Sequence, residues 1–266
     1  TDGVRGKANE GLTLDMSIKI GQYLGWYYGK EKHAKILIGK ATRLSGDMFE
    51  LGLAAGATSM GAQVYLLGVC PTPAISYLVR KERFDCGIMV SASHNPYYDN
   101  GIKCFNHNGE KMEEELLLEV EKYMDGLTDL DLVTGDHIGE YFEWEDGLEI
   151  YMSWLKECVP VDLSGMKILC DLANGSATST AVETLDSLGA IVDAINNSPN
   201  GININNKCGS THPEGLQRMM REGDYDIGLA FDGDADRLIM VDSDGKRCDG
   251  DYILYICSRY MKSINH

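Results

Sequence analysis

The chain has 266 residues, 44% of them hydrophobic and 24% charged, which is typical of a soluble globular protein with one large or two ordinary domains. Its 24 Lys and Arg residues and 41 Asp and Glu residues give a formal net charge of −17, which repels nucleic acid and anionic membrane surfaces. A phosphate-bearing ligand must therefore be held by a local cluster of cations or by a metal ion.

The eight cysteines show neither a CxxC pair nor a zinc-ligand spacing, and most lie inside apolar runs. This usage favours free thiols in a reducing, cytoplasmic compartment. No apolar run approaches the ~20 residues of a membrane span, and the first residues do not resemble a signal peptide. Because the chain does not begin with methionine, we expect native residues to precede Thr1.

Helices and strands alternate along the first half of the chain. Apolar spacing, Gly29 and Gly61 as helix ends, and Pro73 in a first helical turn indicate where the helices begin and end. The predicted elements in chain order are a helix at 12–29, a strand at 34–39, a helix at 45–61, a strand at 62–68, a helix at 72–83, strands at 85–92 and 101–105, and a helix at 112–124.

The second half repeats this alternation after an acidic, weakly patterned segment at 126–145, which we interpret as a linker. Alternating strands and helices predict an α/β fold, here two duplicated three-layer α/β/α domains with mixed, largely parallel sheets. The predicted elements are a helix at 146–158, a strand at 167–172, a helix at 176–188, a strand at 190–195, a loop at 197–213, a helix at 214–222, strands at 226–231 and 238–243, and a helix from 250.

The two halves also share a short sequence pattern. "FDCGIMVSAS" at 84–93 aligns with "YDIGLAFDGD" at 225–234, so that Ser93 pairs with Asp234. The alignment predicts that the loop after each strand occupies the equivalent place in two duplicated domains. Ligands in open α/β sheets collect at these carboxyl ends of strands.

Three carboxylates alternate in "DGDADR", at Asp232, Asp234 and Asp236. In a tight turn they can converge on one hard cation, and oxygen ligands suit Mg²⁺ or Ca²⁺ better than zinc. An EF-hand is excluded because Arg237 and Ser243 stand where its Gly and Glu belong. A DxD phosphatase expects Thr or a similar residue at the position of Asp236. The plainest alternative is an acidic surface turn without a ligand, although three such carboxylates repel one another without a cation.

The first-half loop carries a serine among candidate bases and cations. Ser93 is followed by His94, a turn at 95–96, a second turn at 100–101, and Lys103. The GxSxG elbow of acyl-transfer enzymes is absent from the sequence. A serine beside cations and a metal loop fits phosphoryl transfer better, since a phosphoserine adds roughly −1.5 to −2 charge that a metal and basic side chains neutralise. A structural role for His94 stays open as an alternative.

The chain is similar to the α-D-phosphohexomutases over nearly its whole length. The residues that carry the resemblance are "TDGVRG", "TRLSG", "GVCPTPA", "SASHNPYYDNGIK" and "FDGDADR". The loop "ININNKCGSTHPEGL" at 202–216 resembles specifically the members of that family that act on glucosamine phosphates.

The resemblance implies a role for each matching position. Ser93 resembles the serine that carries the phosphoryl group, so the resemblance implies a phosphoserine there. One Mg²⁺ ion would be held by Asp232, Asp234 and Asp236, with an oxygen of the phosphorylated Ser93 completing the set. A hexosamine phosphate is the implied partner, and the sequence does not indicate an oligomeric state.

Basic residues are expected around the phosphate. Positions lining the phosphate site in the family match Arg5, His94, Lys103 and Arg237, and Arg43 and Asn95 are expected in the same phosphate-binding set. Lys103 or His94 would be the general acid/base, and the sequence does not decide between them. Ala41 stands where the family usually has Asp, so Arg43 lacks an orienting carboxylate at that position.

The implied reaction interconverts glucosamine 6-phosphate and glucosamine 1-phosphate through glucosamine 1,6-bisphosphate. The family has four domains, and the chain would hold the first at 1–140, the second at 141–250, and the lead-in helix of the third at 251–266. The family's sugar-recognition loop and distal phosphate-binding loop belong to the later domains, and neither motif occurs here. We therefore expect an N-terminal part of a longer mutase that is incomplete for turnover.

Three alternatives remain at this point. The first is a phosphomannomutase or phosphoglucomutase of the same superfamily. The second is a DxD phosphatase, which would carry its phosphoryl group on an aspartate instead of on Ser93. The third is a non-catalytic module that binds Mg²⁺ or another ligand.

Overall fold

The computed structural model describes residues 3–158 and 161–264 and confirms the predicted α/β architecture. Two mixed sheets carry helices on both faces, and most predicted elements occur within a few residues of their expected positions. The first two residues of the "TDGVRG" motif, residues 159 and 160, and the last two residues of the predicted lead-in helix at 251–266 lie outside the described part.

The strands are β1 Val4–Lys7, β2 Lys35–Lys40, β3 Gln63–Val69, β4 Cys86–Val90, β5 Asp99–Asn106, β6 Tyr141–Glu143, β7 Lys167–Asp171, β8 Ile191–Ile195, β9 Ile227–Phe231, β10 Leu238–Asp242 and β11 Arg247–Cys248. The α-helices are α1 Leu14–Tyr28, α2 Gly46–Thr58, α3 Thr72–Lys81, α4 Glu114–Met124, α5 Gly147–Cys158, α6 Ala181–Ser187, α7 Glu214–Glu222 and α8 Gly250–Ser263. Short 3₁₀ helices cover Gly135–His137 and Ser176–Ser179.

The first sheet has the strand order β1-β5-β4-β2-β3-β6. Its centre is parallel, and β5 runs antiparallel between β1 and β4. One face is covered by α1, α2 and α4, with Leu24 and Leu53 among the residues of that core. The opposite face packs against α3 and α5, where the Tyr77 ring stacks on Trp154 with the ring centroids 4.1 Å apart.

The second sheet has the order β11-β10-β9-β7-β8, with parallel pairs on both sides of β7. Its core is smaller than the first: residues from the segment 176–187 pack on one face, and α7 covers the other with Leu216 and Met220. The order β10-β9-β7-β8 corresponds to β5-β4-β2-β3 of the first sheet, which supports the predicted duplication.

A pair of side-chain contacts repeats in both halves. A carboxylate oxygen of Asp85 accepts a hydrogen bond from the backbone of Lys35 at 2.8 Å, and Asp226 accepts one from Lys167 at the same distance. Each of these aspartates directly precedes β4 or β9, and the two strands occupy the residues that the sequence alignment equates. The loop that carries Ser93 and the loop that carries the three aspartates therefore follow equivalent strands of the two sheets, β4 and β9.

The segment interpreted as a linker is more ordered than expected. Residues Tyr141–Glu143 form β6, an exposed edge strand that pairs in parallel with β3 of the first sheet. The next helix, α5, packs on α3, so two elements beyond the predicted boundary at 140/141 lie against the first sheet. That division into domains remains a prediction. The short strands β1 and β11 were missed in the sequence.

Helix α8 begins with Asp249 as its N-cap, whose side chain accepts a hydrogen bond from the backbone of Asp251. Its start confirms the predicted helix from 250. The helix carries large apolar side chains that are about half exposed, including Tyr255 and Tyr260. Within the described residues, the structure shows no helix with the length and apolar character needed to cross a membrane.

Candidate active site

The serine loop and the aspartate loop meet where β4 and β9 end. The Ser93 hydroxyl donates a hydrogen bond of 2.7 Å to Oδ2 of Asp232, across the boundary between the two halves. Ser93 is fully buried and has a φ of 52°, a left-handed conformation that is uncommon for a residue with a side chain. Its backbone NH donates to the Ser91 hydroxyl at 2.9 Å, which helps to hold this turn.

Three carboxylates gather beside the serine. One oxygen from each of Asp232, Asp234 and Asp236 lies within 4.8 Å of the others. Asp232 and Asp234 are buried, whereas Asp236 lies at the exposed rim. The second oxygen of Asp234, Oδ1, is buried without a hydrogen-bond partner among the described residues. An unsatisfied buried carboxylate oxygen in an all-oxygen cluster fits a hard divalent cation.

The buried cation Lys103 lies against this cluster. Its Nζ is 2.6 Å from Oδ2 of Asp234 and 3.4 Å from Oδ2 of Asp236. Thr72, at the start of α3, donates from its hydroxyl to the same oxygen of Asp234 at 2.7 Å. One buried carboxylate oxygen is therefore held by two donors of the first half.

The two buried aspartates have opposite pKa shifts. Burial and the neighbouring charge of Asp234 raise the pKa of Asp232 to about 6. Burial also opposes the charge of Asp234, but the ammonium group of Lys103, together with hydrogen bonds from Thr72 and Ser93, outweighs burial and holds the pKa of Asp234 below its ordinary value. At neutral pH both carboxylates are ionised and together attract a cation.

Arg237 lies over the serine hydroxyl. Its Nη2 donates to Oγ of Ser93 at 2.6 Å and to Nδ1 of His94 at 3.0 Å, and its side chain is half exposed. Burial, followed by the charges of Arg237 and Arg5, lowers the pKa of His94, so the imidazole is neutral at pH 7. Arg237 and His94, both predicted to line the phosphate site, thus lie beside Ser93.

Two further cations lie behind the serine loop. Arg43 is buried, which lowers its pKa to about 10, and its Nη2 donates to the carbonyl oxygens of Ser93 and Asn95. Nε and Nη1 of Arg43 and Nε of Arg5 are buried without a hydrogen-bond partner among the described residues. Unpaired guanidinium donors suit an anion.

Two asparagine side chains make contacts with the loop of Ser93 that the sequence did not predict. The side-chain amide of Asn95 donates to Asp99 at 3.0 Å within its own loop, so its described contact is structural. Asn205, from the long loop after β8, donates to the carbonyl oxygens of Ser93 and Asn95. Asn205 lies in the loop at 202–216 that resembles the family members acting on glucosamine phosphates, but neither Asn205 nor Thr72 was predicted as a site residue.

The arrangement brings a hydroxyl, three carboxylates and several cations into one cluster. Such a set can hold a divalent cation and neutralise a phosphoryl group on the serine oxygen. The predicted Ser93, Lys103, Arg237 and the three aspartates are joined by direct contacts. Their roles in chemistry stay predictions at this point.

The comparisons with known proteins agree with the fold. The phosphoglucomutase/phosphomannomutase α/β/α domain I model matches residues 1–130, and the α/β/α domain II model of the same family matches residues 149–245. A solved phosphoglucomutase/phosphomannomutase family protein from Burkholderia thailandensis superposes with a TM-score of 0.84 at 25% identity. That superposition covers 99% of this chain and 59% of the solved chain.

Curated relatives are similar over almost the whole chain. The phosphoglucosamine mutase of Lachnoclostridium phytofermentans is 51% identical over 263 residues, which are 98% of this chain and 59% of the relative. That of Clostridioides difficile is 46% identical over 100% of this chain and 60% of its own length. The chain thus spans about three fifths of the curated relatives it matches. With both domain models matched in order, it belongs to the phosphoglucomutase/phosphomannomutase family, the α-D-phosphohexomutases.

Proposed function

We propose that the full-length protein is a phosphoglucosamine mutase that interconverts glucosamine 6-phosphate and glucosamine 1-phosphate. The hydrogen bond between Ser93 and Asp232 carries the proposal, because it joins a serine of one half to the carboxylate cluster of the other. The names of the similar curated proteins support the amino sugar as substrate. The activity is proposed for the whole protein because this chain matches only 59% of the length of the first of these relatives.

In the proposed reaction Ser93 carries a phosphoryl group. The bond between this phosphorus and Oγ of Ser93 breaks as O1 of glucosamine 6-phosphate bonds to the phosphorus, and O1 loses its proton to a base. The product is glucosamine 1,6-bisphosphate. After the sugar reorients, Oγ of Ser93 gives up the proton that it took up in the first transfer and bonds to the phosphorus of the 6-phosphoryl group. The bond between this phosphorus and O6 breaks, O6 takes up a proton, and the other product is glucosamine 1-phosphate. Phosphoryl transfer of this kind depends mainly on positioning and on neutralising charge.

The residues present fit one Mg²⁺ ion. Asp232, Asp234 and Asp236 would hold it, with an oxygen of the phosphorylated Ser93, and the unpaired Oδ1 of Asp234 supports this assignment. When bound, the ion would stabilise negative charge on the oxygens around the transferring phosphorus.

The cations of the site have separate proposed tasks. Arg237 is half exposed and contacts Oγ, so it can bind the oxygens of a phosphoryl group carried by that serine. Lys103 is bound between Asp234 and Asp236 and would offset the charge of these carboxylates. The lowered pKa of His94 favours the neutral imidazole, and a neutral imidazole can accept a proton whereas an imidazolium cannot. We propose His94 as the general acid/base, with Arg5 beside it.

The test is to locate the phosphoryl group and compare sugars. Incubation with glucosamine 1,6-bisphosphate and Mg²⁺ is expected to add one phosphoryl group to Ser93, measured by intact-mass and peptide mass spectrometry. In the full-length protein, kcat/KM is expected to be highest for glucosamine phosphate. A preference for mannose or glucose phosphate would favour the sister mutases. A phosphoryl group on an aspartate would favour a phosphatase, and Mg²⁺ binding without any transfer would indicate a binding module.

The affinity for Mg²⁺ is expected to depend on pH below 6. In the metal-free protein the pKa of Asp232 is raised to about 6, so below that pH a proton must leave before the ion can bind. We expect the dissociation constant to rise about tenfold per pH unit below 6 and to change little above 7. Isothermal titration calorimetry in buffers of different ionisation enthalpy should show close to one proton released per ion at pH 5.

The matched control for this titration is Asp232→Asn, which removes the titrating group. Its Mg²⁺ affinity is expected to be weaker at every pH but nearly flat between pH 5 and 7. An equally steep pH dependence in this variant would assign the proton to another group.

A further inference from the structure

Two carbonyl oxygens of the serine loop are bound twice each. The carbonyl oxygen of Ser93 accepts from Nη2 of Arg43 at 2.8 Å and from Nδ2 of Asn205 at 2.9 Å. The carbonyl oxygen of Asn95 accepts from the same two nitrogens at 2.9 and 3.1 Å. Two NH₂ groups, one from each half of the protein, thus bridge the same pair of carbonyl oxygens.

This bridge acts on the residue with the strained backbone. Ser93 has a φ of 52°, and such a conformation persists only where the surrounding contacts enforce it. The Ser93 carbonyl belongs to the same residue as the hydroxyl that donates to Asp232, so hydrogen bonds to the carbonyl limit how far the backbone that carries the hydroxyl can move. The bridge therefore restrains the backbone that aims the hydroxyl.

The aspartate loop is packed against this bridge. A Cβ added to Gly233 would lie 2.5 Å from the Ser93 carbonyl oxygen and 2.7 Å from Nδ2 of Asn205, too close for a side chain. Gly233 lies between the metal-binding candidates Asp232 and Asp234. The glycine thus allows the amide of Asn205, the serine carbonyl and the aspartate loop to meet without a gap.

Asn205 is itself fixed from both halves. Its backbone NH donates to the carbonyl oxygen of Ala173 at 2.9 Å, in the loop that follows β7 of the second sheet. The preceding Ile204 is buried in the core beneath α3 and α5 of the first half. Further along the loop, the backbone NH of Gly209 donates to the buried Asp171 at 2.8 Å. The position of the Asn205 amide is therefore fixed by contacts of its own loop, independently of its hydrogen bonds to the serine loop.

We infer that Asn205 is a positioning residue for phosphoryl transfer at Ser93. It touches no reacting atom: its two amide hydrogens hold the Ser93 and Asn95 carbonyl groups and so keep the hydroxyl directed at the aspartate cluster. The inference rests on the proposed function and extends it, because it ties the aim of the nucleophile to a loop of the second half. Arg43 performs the same task from the first half.

The test measures the rate at which glucosamine 1,6-bisphosphate phosphorylates Ser93 in the full-length protein. Asn205→Ala is expected to slow this step by ~30- to 100-fold, because a small displacement of a reacting group costs on the order of 10²-fold. Asn205→Asp has almost the same shape but turns oxygens towards the two carbonyl groups, and is expected to be at least as slow. The dissociation constant for Mg²⁺ should stay within threefold of the wild type in Asn205→Ala, since all three aspartates remain.

The matched control is Asn206→Ala, because Asn206 is exposed in the same loop and is expected to leave the rate unchanged. Rates are compared at a temperature at which circular dichroism shows every variant to be folded. Asn205→Gln keeps the NH₂ group and is expected to recover part of the loss, which a role in filling space would not explain.

Two failures are distinguishable. If the wild type takes no phosphoryl group on Ser93, the proposed function fails. If the wild type is phosphorylated and Asn205→Ala reacts within twofold of its rate, only the inference about Asn205 is overturned. An Asn205→Asp variant that reacts as fast as wild type would also overturn it.

Discussion

Ser93→Ala is expected to leave the protein without a phosphoryl group and to reduce mutase turnover by a factor on the order of 10⁴ or more. The hydroxyl is the group that Asp232 and Arg237 both contact, and alanine offers no oxygen in its place. Because the buried methyl group still fills most of the site, the fold is expected to survive. The measurements are intact-mass spectrometry after incubation with glucosamine 1,6-bisphosphate and the turnover of the full-length protein.

The control for this substitution is Ser91→Ala, a second fully buried serine in the same loop. Its hydroxyl accepts the backbone hydrogen bond of Ser93, whereas the hydroxyl that donates to Asp232 is that of Ser93. We expect Ser91→Ala to lower the rate of phosphorylation and still take one phosphoryl group. A phosphoryl group recovered on Asp232 in Ser93→Ala would contradict the proposed reaction and support the phosphatase alternative.

The alternation of helices and strands could be predicted because residues that are buried on one face of an element are apolar and recur in the sequence at the period of that element. Helix 214–222 coincides with α7, since Pro213 and Gly223 bound an amphipathic segment. The alignment of 84–93 with 225–234 equates β4 with β9, and the backbone contacts of Asp85 and Asp226 show why the two strands start alike. Local pattern and duplicated structure agree here.

The missed strands are short and depend on partners distant in the chain. All three residues of β6 are exposed, so no apolar alternation marks it, and it exists because the edge of β3 is available for pairing. Similarly, β1 has one glycine and two basic residues among four and is held by β5. The pattern of apolar residues indicates which residues are buried, but it does not indicate that the edge of a distant strand is available for pairing.

The candidate site was predictable where the chemistry lies in side chains and not where it lies in the backbone. Ser93, Asp232 and the other charged residues stand out in short motifs that resemble a known family. Asn205 contacts two carbonyl oxygens more than a hundred residues earlier in the chain, and every residue has a carbonyl oxygen. Nothing in the sequence of its loop could indicate that target.

Lys103→Met is expected to lower the free energy of unfolding of the metal-free protein by about 3–5 kcal/mol. The ammonium group is the cation closest to Asp234, a fully buried carboxylate, and methionine would fill the space without supplying charge. Denaturant unfolding in the presence of a chelator measures this loss. Saturating Mg²⁺ is expected to restore part of it, because a divalent cation also neutralises the carboxylates. Turnover should fall in both conditions.

Two further variants separate the buried ion pair from a general effect of losing a lysine. Lys167→Met breaks a surface pair with Asp224, in which the lysine side chain is 44% exposed and the aspartate 94%, and is expected to change stability little. Lys103→Met combined with Asp234→Asn removes both charges of the buried pair, so it should recover much of the stability but none of the activity. Those outcomes would show that Lys103 is retained to keep Asp234 ionised beside the nucleophile. If Lys103→Met costs no more than Lys167→Met, the carboxylate cluster does not depend on this cation.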